Sequence, residues 1–471
     1  MAWHTFGCKA NQYDSERMRQ ELEARGAGFA PDPGAADVLV VNTCTVTNQA
    51  DADARRLVRR VRRSHPGLRV VVAGCSAALR SAEYRRMDGV SAVVEGHDSV
   101  AVADAVIATP VLVQFTVPRN LDVPRTRDAP GILDRIAREP VGGELLLAHR
   151  GRSRGWLKIQ DGCDRRCSFC ATRLARGASR SRSPAELVAE ARALASVHPE
   201  IVITGIHIGH YGLDLDPRTR LSDLIARLLD EVPGVRFRLG SIEATEVDAL
   251  LLDCLAQSDG RLVPHLHMPL QSGANPVLKR MRRWHTREMY RDRTLEIAER
   301  LGAGAGAQVR AQAGAQATAE AKDAFGLGAD IITGFPGETD ADHEDTVRLV
   351  EELPFTYLHV FPFSPREGTE AAELAREMPV PQRVAGERAR ELRELGQGKG
   401  EAYRRARAGS HARVVLEGKG RLALTEDYLR VEVVGTVPGD RRVIHGAELR
   451  MADGELVAEV GAGQVERVAT S

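Results

Sequence analysis

The stretch "GWLKIQDGCDRRCSFC", Gly155 to Cys170, sets a short β-like run directly before three cysteines. Cys163, Cys167 and Cys170 follow a CxxxCxxC spacing, with aromatic Phe169 before the last. Three thiols are one short of the four ligands that structural zinc sites take. An iron–sulfur electron carrier also takes a fourth cysteine per cluster. No fourth Cys or His lies close by in the sequence. A zinc knuckle and a redox pair are the plainer alternatives. A 4Fe–4S cluster on three cysteines instead leaves one iron open to a ligand from outside. Arg165 and Arg166, between the first two cysteines, would either favour thiolates or be solvated loop charge.

Downstream to about Pro365, β-like runs alternate with amphipathic helices. The runs are "EIVITGIHIG", "VRFRLGSI", "VPHLHMPL", "LGADIITGFP" and "YLHVFPF". With "GWLKIQ" they make six βα repeats, too few for an eightfold barrel. They predict a partial (βα)6 barrel with its chemistry at the C-terminal strand ends. Residues 302–322, "GAGAGAQVRAQAGAQATAEAK", carry almost no large apolar side chain and read as a mobile insertion.

Upstream, residues 1–115 also alternate strand and helix. "DVLVVNTC" and "LRVVVAGC" are continuous β-branched runs of the buried parallel type. They predict a doubly wound parallel sheet. Cys8, Cys44 and Cys75 each end a strand, and in open α/β sheets ligands gather at those carboxyl ends. Three thiols distant in sequence are therefore expected to meet at one shared metal site. A Pro- and charge-rich linker is expected over 116–148, and the barrel over 149–380. From 381 to 471 a charged helix precedes short β runs with regular turns, predicting a small antiparallel β-barrel.

The 471-residue chain is 43% hydrophobic and 28% charged, enough for real cores in about three domains. Lys plus Arg (65) equals Asp plus Glu (65), so the chain is no general polyanion binder. Nucleic-acid contacts must come from local basic patches, and DNA is not an expected partner. The N-terminus lacks an apolar signal segment, and no run is long enough to span a bilayer. Seven cysteines in such a chain read as cytoplasmic thiols, free for metals.

These strings resemble a known family. The cysteine loop after a first barrel strand resembles the radical S-adenosylmethionine (SAM) superfamily. "DIITGFPGE" is similar to its adenine-contacting strand, which implies Ile332, Gly334 and Glu338 as SAM contacts. "TFGCKANQYDSE", "NTCTVT", "VVAGC", "ARGASRSRS", "HMPLQSG" and "LHVFPFSPREGT", in that order, resemble the methylthiotransferases. The resemblance implies two 4Fe–4S clusters. Cys163, Cys167 and Cys170 would bind the one that cleaves SAM. Cys8, Cys44 and Cys75 would bind an auxiliary one, again with an open iron. It implies a TRAM-like RNA-binding domain at the C-terminus, and an electron donor and a sulfur source as partners.

"GCKANQYDSE" and "NTCTVTNQADADAR" look most like the subgroup that methylthiolates N6-threonylcarbamoyladenosine beside the tRNA anticodon. The alternatives are isopentenyladenosine of tRNA, a ribosomal-protein aspartate, or a non-catalytic iron–sulfur RNA-binding or electron-transfer protein. Threonylcarbamoyl carries a carboxylate, for which Arg55, Arg56, Arg173 and Arg176 are candidate partners.

Other residues invite weaker readings. Cys254 sits on an apolar helix face as a core thiol. His265 and His267 point the same way on a strand but lack a third ligand nearby in sequence, which favours a structural or substrate-facing role. The basic helix "RRLVRRVRRSH" is either a solvated face or a contact for tRNA phosphates.

Overall fold

The computed structural model describes residues 1–108, 145–302, 324–418, 420–435 and 443–461. The expected linker therefore lies outside the described residues except for its last four. The expected insertion lies outside them except for Gly302. Two compact units are present. One holds the N-terminal region with Asp161–Arg165 and Cys170–Ser179; the other holds the remainder.

In the first unit, Ala2–Thr5 (β1), Val38–Thr43 (β2), Arg69–Gly74 (β3) and Val90–Val93 (β4) form a parallel sheet in chain order. Every residue of β2 is buried, as a strand covered on both faces requires. Leu39, Val41, Val70 and Val72 pack on Leu57, Val58 and Val61 of α2 (Asn48–Ser64). Val38, Val40, Val71 and Ala73 face Met18 and Leu22 of α1 (Lys9–Ala24) and Val102 and Val106 of α4 (Ser99–Ile107). Helices thus cover both sheet faces, as the continuous apolar runs predict. Thr47 caps α2 by accepting from Ala50 N–H at 3.1 Å. Cys75–Leu79 (α3) follows β3 directly, and Thr172–Arg176 (α5) packs against it.

The second unit opens with six parallel strands in chain order. Arg154–Lys158 (β5), Glu200–Thr204 (β6) and Arg236–Leu239 (β7) form one sheet. His265–His267 (β8), Gly326–Thr333 (β9) and Tyr357–Pro362 (β10) form another. Parallel bridges Phe237–Leu262 and Ser241–His267 link them into an open partial barrel. Alternation sets the two faces. Phe237, Leu239, Leu327, Ala329 and Ile331 join the core under the helices, while Arg236, Arg238, Gly328, Asp330 and Ile332 face inward.

The C-terminal strands His411–Leu416 (β11), Leu422–Thr425 (β12), Arg430–Gly435 (β13), Val443–Ala452 (β14) and Glu455–Val460 (β15) close a barrel in the order β11-β12-β13-β15-β14. The expected small antiparallel barrel is present, with one neighbouring pair, β13 and β15, running parallel. Directions cannot alternate all the way round a closed ring with an odd number of strands, so one neighbouring pair must be parallel. Its interior is apolar, built from residues such as Val414, Val433, Ile444 and Leu449.

Buried charge joins this module to the partial barrel. Fully buried Glu200 accepts from Arg236 Nε at 2.6 Å and Arg238 Nε at 2.8 Å. Arg238 also donates to the carbonyls of Glu426 and Thr425, both at 2.9 Å. Arg236 donates to the carbonyls of Arg413 and Leu424, at 2.8 and 3.2 Å. Arg154 pairs with Glu417 at 2.6 Å. Arg154, Glu200 and Arg236 begin their strands, so the module plugs the N-terminal mouth of the barrel. The opposite mouth keeps the C-terminal strand ends. No helix among the described residues is long and apolar enough to cross a membrane.

Candidate iron–sulfur and cofactor sites

Cys8, Cys44 and Cys75 meet at the C-terminal edge of the parallel sheet. Each thiol feels its neighbours: Cys8 acts on the ionisation of Cys44, and both act on that of Cys75. Burial is the largest influence, pushing the Cys44 thiol up to about 11 and Cys75 up to about 12. Glycine makes the approach possible. Gly7 has φ +99°, and a Cβ there would stand 2.5 Å from Cys44 Sγ. Two asparagines pin the strand ends. Asn11 donates to the carbonyls of Phe6 and Thr43, at 2.9 and 2.8 Å. Asn42 donates to Asn11 O and Ser15 Oγ, both at 2.9 Å.

Beside the thiols lies a buried polar shell of which the sequence singled out only Arg176, as a candidate partner for a substrate carboxylate. Arg176 donates to Asp161 at 2.7 Å, to Asp14 at 2.8 Å and to Asn11 Oδ1 at 2.6 Å. His97 Nε2 is 3.0 Å from Arg176 Nη2 and 3.6 Å from Cys75 Sγ. Arg176 is 1% exposed, and its charge opposes the upward shift of both thiols. One signal was available: Cys8, Asn11, Asp14 and Ser15 recur at helical spacing, so α1 turns polar residues toward a buried place. The donor set fits a three-thiolate cluster. Three sulfurs converge next to a buried cation that offsets anionic ligands.

The loop with Cys163, Cys167 and Cys170 is anchored residue by residue. Gly162 has φ +75°, and a Cβ there would collide with the Ala178 carbonyl. Cys163 N–H donates to Gly177 O at 3.1 Å. Ser168 donates through Oγ to Arg280 O at 2.7 Å and through N–H to Met281 O at 3.1 Å. The guanidinium of Arg283, salt-bridged to Glu243, lies 3.9 Å from Cys167 Sγ. Arg166 is exposed, and the barrel arginine Arg283 is the one that approaches Cys167.

At the end of β9, Gly334 turns with φ +69° and donates to Glu338 Oε1 at 3.0 Å. Arg388 grips the same oxygen at 2.6 Å. Glu338 therefore braces the strand end. Ile332 packs with Phe335, Phe363 and Phe169. Cys254 packs against the barrel core as an ordinary thiol, raised by burial. The third ligand missing beside His267 in the sequence is supplied by the fold: Asp330 stands 3.1 Å away, with His359 next to it.

Residues 1–96 match the uncharacterized protein family UPF0004, and residues 157–304 match the Radical SAM superfamily. The chain is 36% identical over 83% of its length to threonylcarbamoyladenosine tRNA methylthiotransferase MtaB of Bacillus subtilis, covering 79% of that protein. The chain belongs to the radical-SAM methylthiotransferases. Another such methylthiotransferase, from Thermotoga maritima, is 32% identical over 98% of this chain and 97% of its own. A tRNA-2-methylthio-N(6)-dimethylallyladenosine synthase of Parafrankia is 34% identical over 88% of this chain and 78% of its own. Methylthiotransferases carry two 4Fe–4S clusters and use SAM.

Proposed function

We propose that this methylthiotransferase adds a methylthio group at C2 of N6-threonylcarbamoyladenosine in the anticodon loop of tRNA. Three parts divide the work, with bounds near 1–115, 149–380 and 381–471. Cys163, Cys167 and Cys170 hold the SAM-cleaving cluster, and Cys8, Cys44 and Cys75 hold the auxiliary one. With SAM and a reductant, the bound clusters would supply a carbon radical able to take hydrogen from a non-acidic C–H, and a place for the sulfur that replaces it.

The chain's own residues bind and orient. Arg176 offsets the anionic charge beside the auxiliary thiols. Ser168 fixes the cluster loop to the backbone at Arg280 and Met281. Ile332 and Gly334 offer the SAM contact, and Glu338 positions Gly334. The observation that carries the reading is the convergence of Cys8, Cys44 and Cys75 beside Arg176. Radical generation alone needs one cluster, and a second thiol set has a use where sulfur is delivered.

The substrate rests on the named relatives, supported by one charge argument. Arg55 pairs with Glu83, Arg56 with Asp53, and Arg176 with Asp14 and Asp161. Arg173 makes no ion pair among the described residues and is half-buried, three residues after Cys170. It is the cation left for the threonylcarbamoyl carboxylate. An apolar isopentenyl group would leave it unmatched.

The test incubates reconstituted enzyme, SAM, a reductant and sulfide with two tRNAs, one bearing each modification. Methylthio product on the threonylcarbamoyl tRNA is expected. Product only on the isopentenyl tRNA would overturn the substrate while keeping the chemistry.

A further inference from the structure

Two clusters of metal-ligating side chains lie outside the cysteine sets. In the first, His207, His210 and Glu246 come together, with His207 Nε2 2.8 Å from Glu246 Oε1. The two imidazoles stack at 4.0 Å with 19° between their planes. Ring-nitrogen lone pairs on stacked rings run side by side and do not converge on one ion. The second cluster differs on this point.

There, three neighbouring strands each present one donor on the inner face of the partial barrel: His267 on β8, Asp330 on β9 and His359 on β10. Asp330 Oδ1 is the common corner, 3.1 Å from His267 Nε2 and 3.3 Å from His359 Nδ1. The imidazole planes are tilted by 34°. Ligands about 2.1 Å from a first-row metal stand roughly 3.0 Å apart in an octahedron and roughly 3.4 Å apart in a tetrahedron. The observed spacings fall in that interval. A charge-assisted N–H···O bond would draw the groups to about 2.7–2.9 Å instead.

The surroundings resemble an outer shell built to hold a ligand. The Tyr357 hydroxyl lies 3.0 Å from His267 Nδ1 and 2.8 Å from His265 Nε2, so the far nitrogen of His267 is fixed in place. The Tyr357 ring lies over Gly328, where a Cβ would collide with it. His359 is 51% exposed at its side chain and lines a cavity of about 1010 Å³, together with Tyr357, Arg393, Arg404 and Arg430. Of the three donors His359 lines this cavity, so a coordination position beside it is open to that side.

From this geometry we propose that His267, Asp330 and His359 bind a divalent first-row metal ion, distinct from both iron–sulfur sites. Two imidazoles and one carboxylate suit Mn2+, Fe2+ or Zn2+. The open positions would take an oxygen ligand entering through the arginine-lined cavity. The proposal rests on neither cysteine set nor on the choice of substrate.

The test uses the holoenzyme with its clusters in the oxidised, diamagnetic state. Mn2+ alone is titrated in, and free Mn2+ is followed by its electron paramagnetic resonance signal. One Mn2+ per chain is expected, with electron spin-echo modulation from imidazole nitrogen. His359→Ala, at a half-exposed position, should weaken binding by more than about 10-fold, and Tyr357→Phe by about 10-fold, the low end for an outer-shell partner. Asp330→Asn should remove the site while cluster iron stays unchanged. No bound Mn2+, binding without nitrogen coupling, or equal binding in His359→Ala and Asp330→Asn would each overturn the assignment.

Discussion

Cys8, Cys44 and Cys75 arrive from three separate strand ends, whereas Cys163, Cys167 and Cys170 share one loop of eight residues. In the first set the sheet does the positioning. Register between β1, β2 and β3 brings the strand ends level, and Asn11 and Asn42 tie them. In the second set the chain itself supplies proximity, and anchoring bonds supply orientation. The difference teaches where each set is vulnerable. A sheet-borne set fails when packing fails, and a loop-borne set fails when its turn or its anchors fail. Arg176 complicates the division. It reaches Asn11 and Asp14 on α1 and also Asp161, two residues before Cys163.

The strongest way to break the comparison is to delete one set at a time. Replacing Cys163, Cys167 and Cys170 with Ala should remove about half the iron and all SAM cleavage. Replacing Cys8, Cys44 and Cys75 should remove a similar share but leave cleavage uncoupled from product. Iron analysis and 5′-deoxyadenosine release decide it, and full iron in either variant sinks the assignment.

Arg176→Ala should come next. It strands Asp14 and Asp161 as buried carboxylates, at a cost of about 3–5 kcal/mol. Iron should fall at both sets together, with a lower melting temperature. Loss confined to one set would show that Arg176 does not link them.

The two glycines sharpen the contrast more gently. Gly7→Ala should lower auxiliary iron only, and Gly162→Ala should lower SAM cleavage only. Each adds backbone strain of about 1–3 kcal/mol plus its own collision.

The smallest effect is on pH. In the metal-free protein, unfolded thiols ionise near 9.0, while folded Cys44 and Cys75 wait until about 11 and about 12. Above pH 9.0 the unfolded chain therefore holds fewer protons, so stability falls as pH rises toward 11. Denaturant midpoints across that window should decline, and a flat profile would contradict the burial of these thiols.

Much of this was legible from the residues. The β-branched runs marked β2 and β3, and the cysteine spacing marked the loop. Six inner strands appeared where six were expected. What stayed hidden depended on neighbours in space. Asp330 and His359 are invisible as partners of His267 until three strands lie side by side. His97 joins Arg176 and Cys75 only through the fold. The parallel β13–β15 pair follows from counting strands in a closed ring, a step that turn spacing alone does not prompt. Arg55, Arg56 and Arg176 looked equally available for a substrate carboxylate until their acidic partners came into view.

The junction at Glu200 has a bearing on how such a protein can change over generations. Arg236 and Arg238 grip the C-terminal module through main-chain carbonyls at residues 413, 424, 425 and 426. Any amino acid presents a carbonyl, so those four positions are free to drift in sequence while their part of the attachment persists, whereas Glu417, paired with Arg154, is tied by its side chain. The partner side has no such freedom, because Arg154, Arg236 and Arg238 all donate to the one buried carboxylate of Glu200. Novelty in what the module touches can therefore accumulate without renegotiating how it is mounted.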